Sequence, residues 1–269
     1  MEGSLIVSTY DNIADIYEKW SSGDAVYHST ARFYLSVLTQ MNDGKYLELG
    51  IGTGRITLEA ICSTPISITG IDASKKMLEI CNKKYKQLPS HRGTLELYQG
   101  DMLCLPWNNI FHGAIMPFRT IGHFTTDESL NSLFKNVSNA LKPGGWFLLD
   151  HYVFQRKWAE THNNVPILMY QDNEFTIYDN YNYDFENNMM HCKVLVNDEI
   201  FEEFDFRWLS PQQIYSSATL AGFDIVSLMG EFDASPWKKD SLEQIWLLQK
   251  PGNTDELIHL PKFSPTKKV

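Results

Sequence analysis

The run Tyr46-Leu47-Glu48-Leu49-Gly50-Ile51-Gly52-Thr53-Gly54-Arg55, with Asp72 closing the next apolar run, constrains this chain more than any other feature. It reads as a buried strand, a glycine turn and a helix start, then an acid at the end of a second strand. Glycine at such a turn lets the backbone approach a ligand without Cβ interference. The helix that follows aims free N–H groups at whatever sits there. A nucleoside-containing ligand is the first expectation.

Apolar runs continue at intervals on either side of the turn. Tyr46 to Leu49, Ile66 to Ile71, Thr94 to Tyr98, Ile110 to Met116 and Trp146 to Leu149 read as strands separated by helical patterns, which implies a doubly wound, mostly parallel sheet over residues 45–152. Ser74 is placed to cap a helix with Met77, Leu78 and Cys81 on one face. Asp127 is placed to cap another, and Lys142-Pro143-Gly144-Gly145 to stop it. Residues 1–44 read as a helical cap, with Ile13, Ile16, Tyr17 and Trp20 on one face and Tyr34, Val37, Leu38 and Met41 at similar spacing. Residues 153–209 change texture: short alternating stretches rich in Tyr, Phe and Asn predict three or four antiparallel strands inserted into the α/β core. Residues 210–250, opening with Ser210-Pro211, return to a helix and two strands, and 251–269 read as an extended or disordered tail.

Composition excludes some partners. With 23 basic and 33 acidic residues the formal charge is −10, which disfavours nucleic acid and anionic membranes. No apolar run approaches the ~20 residues of a membrane span, and Met1 to Tyr10 lacks a secretory pattern, so a cytoplasmic protein is expected. Cys62, Cys81, Cys104 and Cys192 are scattered and read as reduced thiols mostly in or near the core.

The glycine turn has several candidate ligands. A dinucleotide fingerprint wants a third glycine three residues after the second, where Arg55 stands. A phosphate-binding P-loop wants a Gly-Lys-Ser or Gly-Lys-Thr that is absent. Glu48 also points a carboxylate toward the place a pyrophosphate would occupy, so a cationic ligand suits the turn better.

At this point the residues resemble the class I S-adenosylmethionine-dependent methyltransferases, over roughly Tyr10 to Leu248. The resemblance rests on Glu48-Leu49-Gly50-Ile51-Gly52-Thr53-Gly54, Gly70-Ile71-Asp72-Ala73-Ser74-Lys75-Lys76-Met77-Leu78, Gln99-Gly100-Asp101-Met102 and Leu141-Lys142-Pro143-Gly144-Gly145. It implies a seven-stranded Rossmann-like sheet with S-adenosylmethionine as cofactor. Glu48 would help hold the methionine ammonium, and the Gly50 to Gly54 backbone would pass beneath, with Gly52 at its centre. Asp72 would accept the ribose hydroxyls, Ala73 and Met77 would flank the adenine, and Asp101 with Met102 would read its amino edge. Tyr10 or Tyr17, in the segment resembling the N-terminal helix of small-molecule members, would reach the methionine carboxylate or line the transfer channel. Tyr17 and Trp20 serve equally well as anchors of the cap.

After the fourth strand comes Pro117-Phe118-Arg119-Thr120-Ile121-Gly122-His123-Phe124, at the carboxyl end where open α/β sheets bind ligands. Pro117 is placed beside the cofactor and Arg119 beside the substrate, and His123, with Tyr10, is the candidate for proton handling. His151 at the end of the fifth strand, Trp20, and Tyr170 and Trp208 of the insertion complete the expected substrate wall, or else the insertion forms a dimer contact. Metal-dependent relatives place a carboxylate where Pro117-Phe118-Arg119 stands, so no metal is expected. The expected reaction is methylation of a small-molecule acceptor by a monomer or homodimer, on nitrogen more than on oxygen. The alternatives are an O-methyltransferase and a noncatalytic cofactor-binding protein.

Overall fold

A computed structural model of the chain describes residues 10–253 and 258–263. Elements alternate as the apolar runs predict: α1 (Tyr17–Ser21), α2 (Tyr27–Leu38), β1 (Lys45–Leu49), α3 (Thr57–Ser63), β2 (Ser67–Asp72), α4 (Lys75–Lys86), β3 (Thr94–Gln99), β4 (Phe111–Met116), α5 (Asp127–Ala140) and β5 (Leu141–Tyr152). Then follow α6 (Arg156–His162), β6 (Ile167–Gln171), β7 (Thr176–Asp184), β8 (Met189–Val196), β9 (Glu199–Arg207), α7 (Pro211–Leu220), β10 (Asp224–Met229) and β11 (Glu243–Gln249).

The main sheet has seven strands in the order β10-β11-β5-β4-β1-β2-β3, parallel except at β11, which runs against both its neighbours. Both faces are covered, which is why the strands read as continuous apolar runs. Tyr46, Trp146 and Leu148 pack beneath α2 and α3, while Leu47, Phe147 and Leu149 pack beneath α5 and α7. The second sheet, β6-β7-β8-β9, is antiparallel throughout. Its inner face shares a core with the cap: Ile13, Ile16 and Trp20 lie against Ile177, Val194, Phe204 and Phe206. Cap and insertion are therefore joined through a shared core.

Local chemistry differs from expectation in a few places. Thr126 caps α5, its hydroxyl accepting from the Ser129 N–H in a reciprocal capping box. Asp127 occupies the first helical position, where its charge suits the helix dipole. Lys142-Pro143-Gly144-Gly145 does more than end a helix. It stands out of register as an irregularity inside β5, whose pairing with β4 begins at Leu141 and resumes at Trp146. Helix α6 precedes the expected strands of the insertion, and its seven residues, burying only Ala159, carry no readable period. Cys81 and Cys192 are buried but Cys62 and Cys104 are exposed. Much of the 251–269 tail lies outside the described residues; of the rest, Phe263 stacks on Phe33 at 5.4 Å and packs on the core without regular structure.

Candidate active site

Strand order fixes where a ligand can enter. From β1 the chain winds outward to β2 and β3, then crosses back to β4 and β5 on the other side, so the loops after β1 and β4 diverge at their carboxyl ends and leave a crevice. One shore is the glycine turn, with φ of +71° at Gly50, +55° at Gly52 and +79° at Gly54. A Cβ on Gly54 would lie 2.5 Å from the Cys81 sulfur, whereas a Cβ on Gly52 would meet nothing within 4 Å. Gly52 thus presents bare backbone to open space.

The other shore is the loop at Pro117 to Phe124. Phe118 and Arg119 adopt left-handed φ of 60° and 62°, a conformation costing ~1–2 kcal/mol per residue for side chains of this kind. Asp150 stabilises it: its two oxygens accept the Phe118 and Arg119 N–H groups at 2.9 Å each, and Tyr34 donates to it at 2.7 Å. Burial still pushes the Asp150 carboxyl up to about 6.

Between the shores lies a cleft of about 1160 Å³ counted out to open solvent, roofed by cap and insertion. Its floor holds Asp72. Asp72 accepts the Gly52 N–H at 2.8 Å on one oxygen and the Ser74 N–H at 2.9 Å on the other, while burial raises its pKa. Each oxygen keeps a further lone pair. Ala73, Met77 and Met102 supply an apolar flank, and Tyr17 and Gly50 also face this end. Cap residues hold both sides: Asp11 accepts from the Ser74 hydroxyl at 2.5 Å, Glu18 accepts from Thr53 at 2.7 Å and pairs with Lys84, and Arg55 reaches the Tyr27 carbonyl.

At the other end the Tyr10 hydroxyl and His123 Nε2 share a hydrogen bond of 2.8 Å. A contact with the Asp205 backbone offsets part of the effect of burial on His123. Burial lowers His123 to about 4 and raises Tyr10 well above its usual value, so both are neutral near pH 7. Trp20, Tyr181, Phe204 and Phe206 wall this end, with Asp24 and Asp179 the acids facing it.

Arg119 lines the cleft, but its guanidinium is engaged: it bonds Asp24 at 2.9 Å and Glu243 at 2.7 Å, joining the cap to β11. Six expected residues lie outside the cleft lining, most because of where their side chains point. Glu48 alternates to the α3 side of β1, where it accepts from Thr57 and burial pushes it up to about 7. Asp101 sits at the rim with an oxygen folded onto the Leu103 N–H at 2.8 Å, and the Pro117 carbonyl accepts from Thr120 at 2.7 Å. His151 points away from the cleft and accepts the Leu209 N–H at 3.1 Å. Tyr170 bonds Asp172, which pairs with Lys19 at 2.8 Å in a clasp between α1 and the insertion. Trp208 stacks on Phe154 at 4.0 Å in a separate small core.

Asp179 is the residue that sequence reasoning missed. Its signal was available: it shares the inward face of β7 with Ile177 and Tyr183, an acid at an apolar position in a two-residue repeat.

Cradle, paired carboxylate oxygens and apolar flank together fit a nucleoside carrying a vicinal diol and a flat base. Residues 47–145 match the family model described as a methyltransferase domain. The ubiquinone/menaquinone biosynthesis C-methyltransferase UbiE of Wigglesworthia glossinidia brevipalpis is 30% identical over 155 residues, covering 55% of this chain and 59% of that protein. The chain thus spans about three fifths of that relative's length. The cypemycin N-terminal methyltransferase of a Streptomyces species is 24% identical, covering 77% of this chain and 84% of that one. An S-adenosylmethionine-dependent methyltransferase from Clostridium acetobutylicum shares the fold with a TM-score of 0.73 at 22% identity, over 90% of this chain and 99% of its own. Residues 47–145 thus match a methyltransferase domain, and the chain has the fold of that S-adenosylmethionine-dependent methyltransferase. Among the described residues no helix is long and apolar enough to cross a membrane.

Proposed function

We infer that the protein transfers a methyl group from S-adenosylmethionine to a nitrogen of a small-molecule acceptor. The observation that carries the cofactor half is the tethered Asp72 carboxylate facing the open space over Gly52. Asp72 would bind the ribose hydroxyls, Gly50 and Gly52 would pass under the cofactor, and Ala73, Met77 and Met102 would flank its base, with Tyr17 closing the top. Glu48 would act from behind the turn through Thr57 rather than by direct contact. Asp101, with one oxygen on the Leu103 N–H, would keep its other oxygen for the amino edge of the base.

When bound, S-adenosylmethionine supplies an electrophilic methyl group on a sulfonium. The residues of this chain have to align an acceptor, exclude water and handle one proton; orientation alone supplies ~7–11 kcal/mol in favourable cases. Tyr10 and His123 form the proton path: an acceptor proton reaching the Tyr10 oxygen lets Tyr10 pass its own to His123 Nε2.

That path favours nitrogen. A base lowered to about 4 is too weak to ionise an unactivated hydroxyl. An amine needs only to lose its ammonium proton along this path before its lone pair attacks. The Streptomyces relative, a cypemycin N-terminal methyltransferase, agrees with this reading, while the UbiE relative, a C-methyltransferase, is the competing one. A screen with methyl-labelled S-adenosylmethionine across amines, nitrogen heterocycles, phenols and quinols tests the choice. Label on nitrogen supports it, and label only on carbon or oxygen refutes it.

A further inference from the structure

The acceptor end of the cleft contains a charge that the mechanism above does not use. Asp179 is 2% exposed and belongs to the cleft lining. Trp20 Nε1 donates to one of its oxygens at 2.7 Å and the Tyr181 hydroxyl to the other at 2.5 Å. Both donors are neutral, and among the described residues no Lys, Arg or His pairs with it. Burial, with the nearby acid Asp24 adding to it, pushes its carboxyl up to about 6, while Arg119, which also lines the cleft, is engaged by Asp24 and Glu243.

A carboxylate placed in an apolar wall without a counter-ion costs several kcal/mol unless a partner arrives. Two donors occupy two of roughly four acceptor positions, so room remains for a third group. The surroundings suit a cation: Tyr10, Trp20 and Phe204 line the same cleft as the carboxylate and pack on one another at 5.1–6.2 Å between centroids, leaving their outer faces to the cleft. Aromatic faces attract alkylated ammonium groups within ~6 Å, and the attraction grows when water is excluded. A neutral or anionic acceptor would leave the Asp179 charge uncompensated.

We propose that Asp179, held by Trp20 and Tyr181 within this aromatic enclosure, is the anchor for a positively charged amino group on the acceptor. The substrate class is then an amine with an apolar or flat body, docked as the ammonium on Asp179 and attacking once that nitrogen has given its proton to the Tyr10–His123 path; this rests on the methyltransferase reading above. The same enclosure accepts a methylated ammonium, since added methyl groups keep the charge and enlarge the contact with the rings.

The test uses the full chain saturated with S-adenosylhomocysteine at pH 8, titrated calorimetrically with benzyltrimethylammonium, benzylamine, benzyl alcohol and benzoate. The two cations should bind more tightly than benzyl alcohol by about tenfold or more, with benzoate weakest. Asp179→Asn should remove the preference for cations while keeping the S-adenosylhomocysteine affinity, and Trp20→Phe should reduce it. Equal binding of the cations and benzyl alcohol to the unmutated protein, or an undiminished preference in a folded Asp179→Asn variant, overturns the proposal. If Asp179→Asn does not fold, the preference measured in the unmutated protein decides. Failure of S-adenosylhomocysteine itself to bind would refute the cofactor reading instead, so the two failures are distinguishable.

Discussion

Gly52 and Gly54 both sit at positive φ in the same turn, yet replacing each by alanine should have opposite emphasis. At either position a Cβ in the left-handed region costs ~1–2 kcal/mol. At Gly54 the new methyl would also lie 2.5 Å from the Cys81 sulfur and about 3.0 Å from Leu58, an overpacking cost of ~1–3 kcal/mol. Gly54→Ala should therefore lose ~2–5 kcal/mol of stability. Gly52→Ala should lose only the strain, which for a chain of this size is a fall in melting temperature of ~2–8 °C. Its methyl, however, enters the space above Asp72, so cofactor affinity should drop about 5- to 150-fold, the equivalent of a ~1–3 kcal/mol clash. Thermal denaturation without ligand, paired with titration of S-adenosylhomocysteine, separates the two effects. A Gly52→Ala protein that melts lower yet binds like the parent would show that no ligand passes over this turn.

Further consequences concern the proton path and the cleft's far shore. His123 falls from its ordinary value of 6.5 to about 4, so its neutral form stabilises the fold fully above pH 6.5, and that contribution is lost as pH falls through the window down to about 4. Between pH 7 and pH 5 this amounts to ~2 kcal/mol, and ring-nitrogen NMR should find His123 still neutral at pH 5, whereas titration near 6.5 would contradict the burial argument. Tyr10→Phe should slow turnover by ~10²–10⁴-fold while cofactor affinity stays unchanged, read by single-turnover kinetics; an unchanged rate removes Tyr10 from the path. Arg119→Met leaves Asp24 and Glu243 without their counter-charge and should destabilise the protein by ~3–5 kcal/mol in urea unfolding, while a stable variant with only a raised KM would return Arg119 to a substrate role.

Much of the architecture was legible because a parallel sheet buried on both faces writes itself as apolar runs, as at Tyr46–Leu49 and Trp146–Leu149. Asp72 was legible because it ends such a run beside a glycine turn. What one chain does not display is the phase of a strand relative to its neighbours. Glu48 and His151 lie on cleft-forming strands, but a one-residue difference in phase turns each toward packing instead. Trp208 and Tyr170 belong to the right subdomain but meet Phe154 and Asp172 before they can meet a ligand. Asp179 was hidden for the converse reason. Among the Tyr and Asn residues of β7 it looks like one more polar side chain until the cap docks and makes its face the inside.

The cofactor site is tested most directly by calorimetric titration of the purified protein with S-adenosylhomocysteine, run beside Asp72→Asn. Saturable single-site binding is predicted, weakened in the variant by the ~1.5–3 kcal/mol of hydrogen bonds to a charged group, about 10- to 150-fold. Absence of binding, or equal affinity in a folded variant, would contradict it.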